Sequence, residues 1–341
     1  MAGIPVPAMV AEPPGGLKAI SNRSQNNIMN ISIIGGTAFI GHAVAQRAVE
    51  RGHRVTAIHR GKHPSEVAGA ASLIADRAQP DALRMALEKS APDAIIDTRA
   101  MTAADARATI EATRDLAAPV VVLSSQDVYA QFGGLLGHPG PPAEDLVTEE
   151  SPLTVPYPFK GIAEHAGGDA YDKKDVEAAF RNAFKRRAAI ILRLPATYGP
   201  RDPQRRFGAI VDALDRGERA FPVQGGGRFR WTHAHVANVA HAIVLCCEAS
   251  LTGIRLFNLG ESHTPTMKER ADSIASAMGT RIDWQSTSED LPGAWKLFGK
   301  MPNDFVADSR KVREAIGFAE ILAPDACLAD LIDGLRRSRS A

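Results

Sequence analysis

The stretch Ile31-Ser32-Ile33-Ile34-Gly35-Gly36-Thr37-Ala38-Phe39-Ile40-Gly41 restricts what this chain can fold into more than any other. Its apolar start reads as a buried strand, Gly35-Gly36 as a tight turn, and the residues from Gly41 onward as a helix. Gly35 permits the sharp turn, and Gly41 lets the helix pack close above the strand. The helix then offers free N–H groups and its positive dipole end to the turn, an arrangement that holds a pyrophosphate. Gly35, Gly36, Thr37, Ala38, Phe39, Ile40 and Gly41 are expected to cradle a dinucleotide.

The strand and helix rhythm repeats. Strands are expected at Asn30 to Ile34, Arg54 to Ile58, Ala71 to Ile74, Ala94 to Asp97 and Pro119 to Leu123, with helices at 41–51, 81–89 and 102–116 between them. Short Val/Ile runs separated by amphipathic helices suit a parallel sheet buried on both faces. The expected fold class is α/β, a Rossmann-type doubly wound parallel sheet with a smaller C-terminal α/β substrate lobe. Gln131 to Gly168 is rich in Gly, Pro and acidic residues and reads as a long functional or disordered loop. Helix resumes near Tyr171 and runs from about Asp172 to Arg187 into a buried strand at 188–192. Further helices are expected at 206–216, 238–248, 266–278 and 309–316, with a polar turn at Gly225 to Gly227. The expected division is a disordered leader over 1–28, a mainly NAD(P)-binding domain over 29–192, and a mainly substrate lobe over 193–336, interleaved with the last sheet strands.

With 40 Lys plus Arg against 39 Asp plus Glu, the net charge is +1, so no global field recruits nucleic acid, and a small-molecule substrate is the better expectation. Basic clusters such as Lys185-Arg186-Arg187 read as solvated surface. No apolar run reaches the roughly 18 residues of a membrane span, so no membrane association is expected. Cys246, Cys247 and Cys327 form no disulfide framework or metal-ligand spacing, which points to a reducing, cytoplasmic setting. His233 and His235 lack a third ligand at metal-like spacing and read as hydrogen-bonded histidines, so no metal site is expected.

The glycine segment, continued by Gly52-His53 and Arg60-Gly61-Lys62, resembles the extended and atypical branch of the short-chain dehydrogenase/reductase superfamily, which includes NAD-dependent epimerase/dehydratase-like proteins. That family commonly reads TGGTGFIG; Ala38 replaces its middle glycine and narrows the room above the pyrophosphate. At the end of the second strand an acid suits NAD and a cation suits a 2′-phosphate, so Arg60, with His59 and Lys62 nearby, favours NADP over NAD. The resemblance places Asp76 and Arg77 beside the adenine. The segment Ser124-Ser125-Gln126-Asp127-Val128-Tyr129 resembles the family's SSxxVYG. It implies that Ser125 hydrogen-bonds the reacting carbonyl or hydroxyl, that Ser124 lies on the cofactor side, and that Gln126 and Tyr129 lie on the substrate side.

The family's partner motif is Tyr-x-x-x-Lys, in which a nearby ammonium lowers the phenol pKa. Four residues after Tyr171 stands Asp175, so that spacing is broken here. Two registers remain open. Lys173 with Glu177 matches the family's Lys-x-x-x-Glu and puts Asp169 in the tyrosine position; alternatively Tyr171 serves as the acid with Lys174. Tyr157-Pro158-Phe159-Lys160 is a weaker substitute. Catalytic candidates are Ser125, Tyr171 and Lys173. Arg193-Leu194-Pro195-Ala196-Thr197-Tyr198-Gly199-Pro200 resembles the segment beside the nicotinamide and assigns Pro195 to the cofactor and Tyr198 to the substrate. Near Gly227 to Ala240, Arg230 and Trp231 stand where nucleotide-sugar enzymes grip a diphosphate.

The resemblance implies an NAD(P)-dependent oxidoreductase or epimerase/dehydratase acting on a hydroxyl or carbonyl of a small sugar, nucleotide-linked or not. The alternative is a dinucleotide-binding sensor or RNA-associated factor without redox turnover. A homodimer through the helices at 102–116 and 172–187 is expected by analogy.

Overall fold

The computed structural model describes residues 28–63, 65–155, 159, 170–185 and 187–339. Residues 1–27 of the expected leader, Tyr157, Pro158, Lys160, Asp169 and Arg186 lie outside the described residues. In chain order the first half forms β1 (Asn30–Ile34), α1 (Phe39–Glu50), β2 (Arg54–His59), β3 (Ala70–Ile74), α2 (Pro80–Ser90), β4 (Ala94–Asp97), α3 (Ala103–Ala112), β5 (Val120–Ser125) and α4 (Ala130–Leu135). The second half forms α5 (Lys173–Ala183), β6 (Ala189–Leu194), β7 (Ala196–Tyr198), α6 (Gly208–Asp215), β8 (Ala220–Val223), β9 (His233–His235), α7 (Val236–Glu248), β10 (Ile254–Asn258), α8 (Met267–Ala277), β11 (Asp283–Ser286), α9 (Arg310–Ile316) and α10 (Pro324–Arg337).

Among the described residues the main sheet has seven strands in the order β10-β6-β5-β4-β1-β2-β3, all paired in parallel. Successive strand residues point to opposite faces. Ile31, Ile33, Val121, Leu123, Ile190 and Leu192 therefore pack under α1 and α7, against Val44, Ala48, Val239 and Ile243. Ile34, Val120, Val122 and Ile191 pack on the other side against Leu83, Leu87, Ala106, Val176 and Phe180. Burial on both faces is why these strands read as continuous apolar runs.

The chain reverses its winding between β1 and β4, so the carboxyl ends of those two strands open a crevice where ligands bind in such sheets. A second core, built from Ile210, Leu214, Phe221, Ile274, Leu328 and Leu331, holds α6, β8, α8 and α10 together as the C-terminal lobe. β10 leaves that half of the chain and returns to the sheet edge beside β6.

Several elements differ from the expectation. The segment after Gln131 is not wholly loop, because α4 occupies its start. The helix expected over 102–116 runs from Ala103 to Ala112, opened by a capping box between Thr102 and Asp105. β7, β8, β9, β10 and β11, and α10, are additional to the elements expected.

Candidate active site

The glycine turn stands at the crevice. Gly35 has φ +84°, and a Cβ on Gly41 would collide with the backbone of Gly35 and Gly36, so both positions exclude a side chain. Ala38 is the N-cap of α1, and no side chain caps the helix, leaving first-turn N–H groups for a ligand. Thr98 Oγ1 donates to the carbonyls of Ile34 (3.0 Å) and Gly35 (3.1 Å), pinning the end of β4 to the turn. The Arg99 side chain lies directly over Gly35. This cation at the switch point was not among the expected site residues, although its position two residues past β4 is a sequence signal for it.

At the end of β2, Arg60 is exposed. His59 is turned inward: its Nδ1 accepts from Gly61 N (3.0 Å) and its Nε2 meets Ser72 Oγ at 2.5 Å. Asp76 Oδ1 accepts from Ala78 N at 3.0 Å, turning the chain toward α2. Arg77, expected beside the adenine, forks its guanidinium onto buried Asp97 (2.9 and 3.2 Å). Burial pushes the Asp97 carboxyl up, but Arg77, Thr109 Oγ1 and Arg99 N–H outweigh it and hold the group below its ordinary range. This part of stability is present above the ordinary carboxyl pKa and is lost as pH falls through the lower folded value.

β5 ends at Ser125, which is half-buried, and the turn that follows folds Asp127 back beside it. Asp127 N donates to Ser125 Oγ at 3.3 Å, and Tyr171 Oη donates to Asp127 Oδ2 at 2.9 Å. Lys173, the first residue of α5, is buried and donates to the carbonyls of Ala100 (2.7 Å) and Leu123 (2.9 Å). Its Nζ stands 5.8 Å from the centre of the Tyr171 ring. The structure thus gathers Ser125, Tyr171 and Lys173, and adds Asp127, which the sequence reading passed over inside its own motif. Burial pushes the Asp127 carboxyl up to about 7 and the Lys173 ammonium down to about 8. The signs are opposite in pH: the Asp127 contribution to stability is full below its ordinary pKa of 3.8 and is lost as pH rises through about 7. The Lys173 contribution is full above 10.5 and is lost as pH falls through about 8.

Lys173 owes its register to Glu177, one helical turn later. The buried Glu177 carboxylate takes both arms of Arg193 at 2.8 Å and accepts from Ser124 Oγ at 2.7 Å. Arg193 also lies 4.7 Å from the Tyr129 ring centre and donates to Glu149 O at 3.2 Å. Three residues expected to meet a ligand are held by protein groups here. Ser124 serves Glu177 and is buried away from the crevice. Gln126 donates to Leu259 O at 2.7 Å, inside the protein. Tyr129 is fully buried, its phenol donating to Asn258 Oδ1 at 2.6 Å. Strand alternation and the turn after Ser125 point these side chains into the core.

On the lobe side, Tyr198 is also a core residue: it donates to Glu261 Oε1 at 2.7 Å and is 1% exposed, so it does not line the crevice. Arg230 is committed to Asp304 at 2.8 Å. Trp231 is half-buried against Phe132, with ring centres 6.2 Å apart. Phe132 in turn meets Phe305 at 5.7 Å and Phe159 at 5.9 Å, and Phe159 meets Tyr171 edge-on at 6.2 Å. An aromatic wall therefore runs from Trp231 to the phenol beside Asp127. Pro195 is buried just past the end of β6. His233 Nδ1 bonds Trp231 O at 2.7 Å, and His235 accepts from Ala237 N at 3.3 Å, as hydrogen-bonded histidines do.

Residues 31–260 match the model of the NAD dependent epimerase/dehydratase family. The chain belongs to this family. It is 25% identical over 319 residues to 2′-dehydrokanamycin reductase of Streptomyces kanamyceticus, covering 89% of this chain and 81% of that one. It is 26% identical over 267 residues to 2-alkyl-3-oxoalkanoate reductase of Stenotrophomonas maltophilia, covering 75% and 78%. Among solved structures it is similar to MoeE5 in complex with UDP-glucuronic acid and NAD, with TM-score 0.67, 20% identity and coverage of 90% and 99%. It is also similar to a UDP-glucose-4-epimerase from Stenotrophomonas with bound NAD and formylated UDP-arabinopyranose, with TM-score 0.69, 16% identity and coverage of 92% and 100%.

Membership makes the chain an NAD(P)-dependent oxidoreductase or epimerase/dehydratase, and the crevice fits that cofactor. The uncapped start of α1 and the side-chain-free Gly35 and Gly41 leave a cradle for the pyrophosphate, with Arg99 above it. Gly41→Val is expected to close the cradle. Calorimetric titration with NAD(P)H should show a loss of affinity of roughly 10–100-fold, since the backbone of Gly35 and Gly36 obstructs the new side chain and the turn must shift at a cost of ~1–3 kcal/mol. Unchanged affinity would place the cofactor elsewhere. No helix among the described residues is long and apolar enough to cross a membrane.

Proposed function

We propose that this protein uses NADP to interconvert one hydroxyl and carbonyl group of a small substrate, a sugar with or without an attached nucleotide, bound between Ser125 and the aromatic wall. The observation that carries the reading is the cluster of Ser125, Asp127, Tyr171 and Lys173 at the end of β5, one strand away from the glycine crevice. Gly35 to Gly41 would hold the pyrophosphate, Asp76 the adenosine side, and Lys173 the nicotinamide ribose. Bound there, the nicotinamide supplies the hydride donor or acceptor. Ser125 orients the substrate oxygen, and Trp231 and Phe132 exclude water from one side of it.

The NADP preference rests on exposed Arg60 at the end of β2. Arg60→Ala should weaken NADPH roughly 10–100-fold, the scale of a lost charge-assisted bond, and leave NADH affinity unchanged. Equal effects on both cofactors would remove Arg60 from this role. The functional test is nicotinamide absorbance with two probes, UDP-glucose with NADP+ and a 2-alkyl-3-oxo acid with NADPH. Substrate-dependent change supports redox turnover, and saturable NADPH binding without change on either probe or on a wider sugar and ketone panel supports a non-redox binding protein. Three free, buried thiols accord with a reducing cytoplasmic setting. α3 and α5 pack side by side and would form the homodimer face, which sedimentation of the full chain tests.

A further inference from the structure

Asp127 is 8% exposed, and its polar atoms divide sharply. Its N–H is bound to Ser125 Oγ, and Oδ2 accepts the Tyr171 phenol at 2.9 Å. Oδ1 is buried, with no hydrogen-bond partner among the described residues. An orphaned carboxylate oxygen in such a place is costly, and sites that keep one are commonly built for proton exchange. In the register that pairs Lys173 with Glu177, the family's tyrosine position falls on Asp169, while Lys173 Nζ is engaged by two backbone carbonyls.

We infer that Asp127 gives and takes the proton at the substrate oxygen held by Ser125, with Tyr171 fixing its carboxyl group in place. This rests on the redox reading above and names the proton carrier for it. In the oxidising direction the substrate O–H bond breaks and its proton ends on the Asp127 carboxylate, while the electron pair of the adjacent C–H bond leaves as hydride, for which a bound nicotinamide would be the acceptor. Reduction runs the reverse: the carboxylic acid returns its proton to the oxygen as the carbon takes the hydride.

The surroundings tune the group for this work. Burial is the main influence holding the carboxyl up to about 7, opposed by the nearby Ser125 hydroxyl and the Lys173 charge and reinforced by Asp172 and Glu177. Lys173 itself faces Asp97, Arg99 and Arg77 as well as Asp127. A proton carrier is most effective when its pKa lies near the working pH.

The test compares Asp127→Asn with Tyr171→Phe in the full-length protein. Asp127→Asn should lower kcat by about 10²–10⁴-fold, the scale of general acid–base catalysis, and flatten the pH profile near neutrality. NADPH affinity and the thermal midpoint should show the variant folded and loaded. Tyr171→Phe should keep more than a tenth of kcat, roughly, and shift the same pH limb upward as the carboxyl loses its phenol donor. Infrared titration of the protein alone should show a protonated carboxyl band disappearing near neutrality in the wild type and missing in Asp127→Asn. A larger loss in Tyr171→Phe than in Asp127→Asn, or an Asp127 band titrating in the ordinary carboxylate range, overturns the assignment while leaving the redox reading intact. A protein that binds no NADPH overturns that reading and this assignment with it.

Discussion

Ser125→Ala is expected to cut turnover by about 10²–10³-fold, the cost of removing one hydrogen-bond donor aimed at the reacting oxygen. The hydroxyl sits at the carboxyl end of a parallel strand, half-buried, beside Asp127 and away from the glycine turn. Its loss removes nothing from the pyrophosphate cradle, so NADPH affinity should stay within about twofold of wild type, well under the ~1.4 kcal/mol of a tenfold change. Steady-state rates on the two probe reactions, paired with NADPH fluorescence titration, check both halves. Unchanged turnover would strip Ser125 of its role, and a parallel fall in affinity would make it a structural residue of the crevice.

The second large effect is on folding. Glu177→Ala should destabilise the protein by about 3–5 kcal/mol, because it leaves the Arg193 guanidinium buried and uncompensated. Arg193 is 1% exposed, its two arms meet Glu177 at 2.8 Å, and Ser124 loses its acceptor as well. The pair clamps α5 to β6, so Lys173 should also lose its fixed position at Ala100 and Leu123. Equilibrium urea unfolding measures the loss. A change under about 1 kcal/mol, the worth of an exposed pair, would show that water reaches this ion pair.

β1, β4, β5 and β6 are legible in the sequence because each is a nearly continuous apolar run buried on both faces. β10 is harder to read: it is an edge strand, and Arg255 stands exposed in its middle. The glycine turn is legible because its chemistry is local, confined to residues that are adjacent in the chain. Tyr129 and Tyr198 read as site residues because their motifs border the site, yet side-chain direction buries both phenols against Asn258 and Glu261. Asp127 is invisible for the converse reason. Its meaning depends on Tyr171, 44 residues away, and on burial that only the folded lobe provides. Arg77 reads as a cofactor residue from its position, but its partner Asp97 lies on another strand.

The central claim is that one dinucleotide bridges the glycine turn and the Ser125 cluster. A crystal structure of the protein with NADPH measures this most directly. The account predicts the pyrophosphate on the N-terminus of α1 between Gly35 and Arg99, the 2′-phosphate at Arg60, and the nicotinamide C4 facing Ser125 with Lys173 on the ribose. A nicotinamide ring turned away from Ser125, or a dinucleotide bound outside the crevice between β1 and β4, would contradict it.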